Sequence, residues 1–128
     1  MNSTKNRLHD EHSVRLAVGL TGYALQIPSE AILSAAARDH NVVRARQVAM
    51  YLSHVGLGMS LARVAMAMER DRSTVAHGCH RIEDMRDDPD IDAWLDLMEN
   101  KLREAADVGQ SGEGRGLSQR PLQCRRPT

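Results

Sequence analysis

The chain has 128 residues, 41% of them hydrophobic, with no Phe, one Trp and two Tyr, and its 17 basic residues balance 17 acidic ones. That length suits one domain with loose ends and excludes a large catalytic domain carrying its own regulatory module. A core of Leu, Val, Ile, Met and Ala without aromatic bulk fits closely packed helices better than a sheet sandwich.

The zero net charge hides an uneven distribution. Residues 43–86 carry seven Arg against four acids, residues 87–107 eight acids against two basic residues, and residues 108–128 four Arg and one Glu. A nucleic-acid surface in the middle of the chain, followed by an acidic segment, is the reading this supports. Cys79 and Cys124 are too few for a disulfide framework, which points to a reducing compartment. The opening MNSTKNRLHDEH has no apolar signal region, and no apolar run approaches the length of a membrane span. The expected location is cytoplasmic and nucleoid-associated.

In chain order, residues 1–11 are polar and read as a flexible N-terminus. Helical character begins near Ser13 in VRLAVGLTGYALQ, with Gly19 and Gly22 weakening it. Pro28 makes a break, Ser29 offers a cap, and a second helix is expected over Glu30 to Arg38. His40 and Asn41 read as a turn before VVRARQVAMYLSHV, where Val48, Tyr51, Leu52 and Val55 share a stripe. Gly56 and Gly58 mark its end.

Ser60 then caps LARVAMAM, where Leu61, Val64, Ala65 and Met68 recur on one face. A short turn, ERD, leads to Asp71 as the cap of a further helix, with Val75, Cys79 and Ile82 facing inward. Helix, tight turn, helix is the helix-turn-helix arrangement. After DDPD, the stripe Ile91, Trp94, Leu95, Met98 and Leu102 predicts a closing helix, with acids near its start favoured by the helix dipole. Residues 108–128 read as a flexible basic tail. The fold class is therefore all-α, a compact helical bundle containing a helix-turn-helix over residues 12–107.

The pattern places Arg72, Ser73, His77 and Arg81 away from the core and Thr74 at the exposed N-terminal edge. Arg72 could donate two hydrogen bonds to guanine, and Ser73 or Thr74 could contact a base or phosphate. Arg44, Arg46 and Gln47, starting a separate helix, could grip phosphate or enter an adjacent minor groove. His77, Cys79 and His80 point in different directions on a helix and lack a fourth ligand, so no metal site is expected. No Gly-rich phosphate loop, activated nucleophile or acid pair appears, so neither a cofactor nor an enzyme is expected.

RARQVAMYL followed by SLARVAMAMERDRSTVAHGCHRIE resembles the C-terminal DNA-binding domain of the bacterial chromosomal replication initiator DnaA. The resemblance covers about residues 13–104 and is strongest over 44–83. It implies a helix-turn-helix that recognises short duplex elements called DnaA boxes. Arg44 resembles the family's minor-groove arginine region loosely, whereas Arg46 and Gln47 match its DNA-contacting RQ motif. Asp71, Arg72, Ser73 and Thr74 fall on the segment that reads the major groove, commonly DHTT, and His77 matches the later His of that motif. Asp71 would both cap the helix and accept from a cytosine amino group.

Two departures stand out. Arg72 replaces the usual His, adding a permanent charge and a different donor fork. The loop SAAARDHNVV is less basic than the family's loop before the RQ helix. With no GxxxxGK[ST] element and no room for the initiator's ATPase, the expectation is a standalone sequence-specific double-stranded DNA-binding protein. It would regulate transcription or replication initiation by occupying short sites, with a regulatory protein as a second partner and its oligomeric state open. The competing reading is a protein-interaction module derived from a DNA-binding fold. That module would use the acidic segment, with Trp94 and Met98 exposed.

Overall fold

The computed structural model describes residues 2–36 and 38–109, with side chains from Asn6 onward. Six helices build it, α1 (Asn2–Leu25), α2 (Ser29–Leu33), α3 (His40–Tyr51), α4 (Leu61–Met68), α5 (Arg72–Met85) and α6 (Pro89–Gly109), and the described residues contain no strand. None of these helices is long and apolar enough to cross a membrane. The expected tail over 108–128 falls almost wholly outside the described residues, which reach 109.

The N-terminal segment departs from its expected looseness, since α1 begins at Asn2 and runs through the polar stretch. A tertiary ion pair anchors this stretch at Asp10. Asp10 is buried on α1 and accepts from Arg63 of α4 through Nε at 3.0 Å and Nη2 at 2.6 Å. A partner 53 positions away is invisible to local pattern. Further along, Val14, Ala17 and Val18 enter the core, and Thr21 joins them by donating its hydroxyl to the Ala17 carbonyl at 2.8 Å. Gly22 is a requirement here and not a weakness. The chain folds back so that the Ile27 amide bonds the Gly22 carbonyl, and a Cβ at position 22 would lie 2.5 Å from the Ile27 carbonyl oxygen.

Helix α2 is shorter than its expected Glu30–Arg38 extent. Pro28 occupies the N-cap position, Ser29 lies inside the helix, and Ser34 leaves helical geometry with ψ 130. Helix α3 starts earlier than expected. Asp39 is its cap, accepting from the Asn41 amide at 2.8 Å, so His40 and Asn41 form the first helical turn.

Helix α3 carries the centre of the core, burying Ala45, Val48, Ala49, Met50 and Tyr51. It then widens into a π turn over Leu52–Gly56, closed by the Leu57 amide on the Leu52 carbonyl at 3.1 Å. Widening changes the facing of the last positions. Val55, expected on the buried stripe, is exposed, while Ser53 is buried and donates to the Ala49 carbonyl.

Helices α4 and α5 follow the expected pattern. The Ser60 hydroxyl caps α4 by accepting from the Arg63 amide, and Val64, Ala65 and Met68 are buried. The helix ends at Glu69 in the left-handed region, φ 58, with the Arg70 amide bonded back to the Ala65 carbonyl. Val75, Gly78, Cys79 and Ile82 of α5 face the core. Helix α6 is capped by Asp88, which accepts from the Asp90 amide at 2.9 Å, and it seals the bundle with Leu95, Met98 and Leu102.

Arg86, whose side chain is enclosed, locks α5 to α6. It donates to Asp92 at 2.6 Å, to Glu99 at 2.8 Å, to Asp96, and to the Tyr51 hydroxyl at 3.0 Å. Burial alone would lower its pKa, but the bonds to Asp92, Tyr51 and Glu99 hold it above the ordinary arginine value. Burial and the bond to Glu83 raise the Tyr51 phenol.

Candidate nucleic-acid interface

The interface begins with how α5 is turned. Because Val75, Gly78, Cys79 and Ile82 are inward, Arg72, Ser73, Thr74, His77 and Arg81 are all exposed. Ser73, His77 and Arg81 recur every four residues, so they rise along one side of the helix over about 12 Å. Asp71 sits at the N-cap with extended backbone, and its carbonyl accepts from the Thr74 amide at 3.0 Å and the Val75 amide at 3.1 Å. Its side chain makes no cap hydrogen bond, contrary to the double role expected of it. The backbone carbonyl starts the helix, and the exposed carboxylate is left clear of that task.

Helix α3 supplies the neighbouring wall. A shallow groove between α3 and α5 is lined by His40, Val43, Arg44, Gln47, His77 and Arg81, with no carboxylate among these described residues. Arg44 is half-buried, its Nη1 lying 3.0 Å from the Met85 sulfur. Its Nε and the Gln47 Oε1 are enclosed without a hydrogen-bond partner. The two helices approach closely at Gly78, where a Cβ would lie 3.2 Å from both the Gln47 Cγ and the Met50 sulfur.

Arg46 is the correction. Expected on the DNA-contacting surface, it is 7% exposed and turned into the protein. Its Nε donates to the Ile32 carbonyl at 2.8 Å, and its Nη2 to those of Ser34 at 2.7 Å and Ala31 at 3.5 Å. Burial, then the neighbouring positive charge of Arg70, lowers its pKa. The physical reason is tertiary: α2 packs on α3 and brings the carbonyls of Ala31, Ile32 and Ser34 to the guanidinium, whereas Arg44 and Gln47 reach the groove.

Two residues escaped the sequence reading. His40 lines the groove one helical turn before Arg44, a spacing that becomes visible once His40 is helical. Arg70, in the turn, donates to the Leu33 carbonyl at 3.2 Å, a contact no local signal announces.

Cys79 is buried, and burial pushes its thiol up to about 11, as suits a small core residue. His80 lies 3.7 Å from Asp84 on the surface. Among the described residues no group of three or more His, Cys, Asp or Glu could hold a metal ion.

Residues 21–82 match the family described as the bacterial dnaA protein helix-turn-helix. The chain is 37% identical over 67 residues to the chromosomal replication initiator protein DnaA of Lachnoclostridium phytofermentans, covering 51% of this chain and 15% of that protein. With the DnaA of Laribacter hongkongensis it shares 40% over 68 residues, 52% of this chain and 14% of that protein. It thus spans about 15% of the length of these curated relatives. A solved DNA replication initiation factor has the same fold, with a TM-score of 0.70 at 22% identity over 81% of this chain and 32% of that one. Residues 21–82, just under half of the chain, are thus similar to the bacterial DnaA helix-turn-helix.

Proposed function

We propose that this domain binds double-stranded DNA sequence-specifically and regulates replication initiation or transcription by occupying short sites. One observation carries the reading: the exposed side of α5 shares His77 and Arg81 with a groove on α3 whose lining, Arg44 included, holds no carboxylate. A helix fits the major groove of duplex DNA, and flanking cations supply affinity through the phosphates.

Arg72, at the first position of α5, presents a planar fork suited to the O6 and N7 acceptors of guanine. Ser73 and Thr74 follow on the leading turn, and the Asp71 carboxylate can accept from a cytosine amino group. His77, Arg81, Arg44, His40 and Gln47 flank this reading end and suit the phosphate strand. The similarity to the DnaA helix-turn-helix supports the same assignment, and the replacement of the usual His by Arg72 points to a target that differs from the common DnaA box at the base it reads.

Part of the surface that a protein-interaction role would need is engaged elsewhere. Met98 is buried, Trp94 is half-buried against the core, and Asp92, Asp96 and Glu99 hold Arg86. No catalytic role is assigned to any residue.

Selection from a randomised duplex pool tests the proposal, followed by binding of the recovered site and a scrambled duplex across a salt series. A common motif bound well above the scramble is expected. Recovery of no motif, with residual binding abolished by modest salt, would sink it.

A further inference from the structure

The C-terminal end of α2 gathers two arginines from distant parts of the chain. A five-residue helix has little stability of its own, and its last carbonyls have no partners within it. Arg46 of α3 takes the carbonyls of Ala31, Ile32 and Ser34. Arg70, from the turn between α4 and α5, takes the carbonyl of Leu33. Among the described residues neither arginine has a carboxylate partner in this arrangement, so two like charges are held side by side by four carbonyls and the negative end of a helix.

What these arginines connect gives the arrangement its significance. The carbonyls belong to the start of the segment that leads into α3, whose first residue, His40, lines the groove. Arg70 lies two residues before Arg72. We infer that Arg46 and Arg70 are paired positioning residues: by gripping one helix end from two sides, they fix the α2–α3 connection against the reading end of α5, and so set DNA discrimination without touching DNA. The inference rests on the DNA-binding reading above.

The fork matters more than the charge. Nε and Nη2 of Arg46 bond carbonyls two residues apart, and the single ammonium of a lysine cannot reproduce that span. A lysine would, however, preserve a phosphate contact. Arg46→Lys therefore separates the two roles, and Arg70→Ala tests the other half of the grip.

The experiment uses the full chain, with circular dichroism and thermal melts to set a temperature at which every variant is folded. Amide exchange in DNA-free protein is followed at Ser34 and Ala36, whose amides bond the Ala31 carbonyl and the Ser34 hydroxyl. Binding is measured to the selected site and to its scramble. Each variant is expected to speed exchange at both amides about tenfold and to lower the ratio of specific to scrambled affinity about tenfold, with scrambled binding within about twofold of wild type. Wild-type discrimination in Arg46→Lys overturns the inference, whether or not exchange has risen. Equal losses on both duplexes also overturn it and return Arg46 to a phosphate role. If the wild-type chain itself does not discriminate, the DNA-binding reading falls and the positioning role with it, while faster exchange would leave the arginines as stabilisers of α2 alone.

Discussion

Gly78 of α5 lies so close to α3 that a methyl group there would meet the Gln47 Cγ and the Met50 sulfur, each at 3.2 Å. Both neighbours are side-chain atoms that can shift by a few tenths of an ångström, so Gly78→Ala is expected to be near neutral, with the helix-propensity gain of about 1 kcal/mol offsetting the crowding. Gly78→Val adds branching that cannot be absorbed, and a loss of about 1 to 3 kcal/mol is expected in denaturant unfolding. A Val variant as stable as wild type would show that the two helices are not held at this distance.

Arg86 is 6% exposed at its side chain and holds Asp92, Asp96 and Glu99 together with Tyr51. Replacing it with Met keeps the length and removes the cation. The carboxylates of Asp92 and Asp96 are partly exposed and can turn to water, but Glu99 cannot easily do so. The expected loss is about 2 to 3 kcal/mol, toward the lower end for breaking a buried ion pair. A melting temperature within 2 °C of wild type, on the order of the scatter between surface substitutions, would contradict this.

Glu69 ends α4 with φ 58, a conformation that favours Gly. Glu69→Gly removes the steric penalty at that position and is expected to gain about 0.5 to 1 kcal/mol. Thermal unfolding decides the sign, and a loss of stability would mean that the Glu69 side chain contributes more than its backbone strain costs.

Cys79 gives a pH signature. Burial pushes its thiol up to about 11 from an ordinary 9.0, so between these values the unfolded chain loses a proton that the folded chain keeps. Stability should therefore be unaffected below pH 9 and fall as pH rises toward 11, by about 2 kcal/mol. Burial also raises the Tyr51 phenol above its ordinary 10.0, which adds a fall of the same sign at the upper end. Urea unfolding at pH 8, 9, 10 and 11 measures the slope, on the order of one pH unit per step, and Cys79→Ala should flatten its lower part. An unchanged slope in Cys79→Ala would assign the loss to other groups.

Arg72, at the first position of α5, and Arg81, at the far end of the stripe that begins at Ser73, are expected to fail differently. Arg72→Ala should cost about 1 to 3 kcal/mol on the selected site and relax the preference at one base. Arg81→Ala should weaken selected and scrambled duplexes alike and reduce the salt slope by about one. Equal losses on both duplexes for Arg72→Ala would remove its reading role.

The helix-turn-helix was legible in the sequence because its determinants are local. Ser60 precedes a stripe of Leu61, Val64, Ala65 and Met68, and Val75, Cys79 and Ile82 fix which side of α5 is left outside, so the exposure of Arg72, Ser73, Thr74, His77 and Arg81 follows from helical period alone. The fate of Arg46 did not follow, because its burial depends on carbonyls of Ala31, Ile32 and Ser34 that only the packing of α2 on α3 brings within reach. The burial of Asp10 was hidden for the same reason: its partner Arg63 lies 53 positions away. Local periodicity determined which sides α4, α5 and α6 bury, but not where α1, α2 and α3 begin and end. Tertiary structure decided which charges remain at the surface, since a guanidinium is retained in the interior only where distant carbonyls or carboxylates meet its donors.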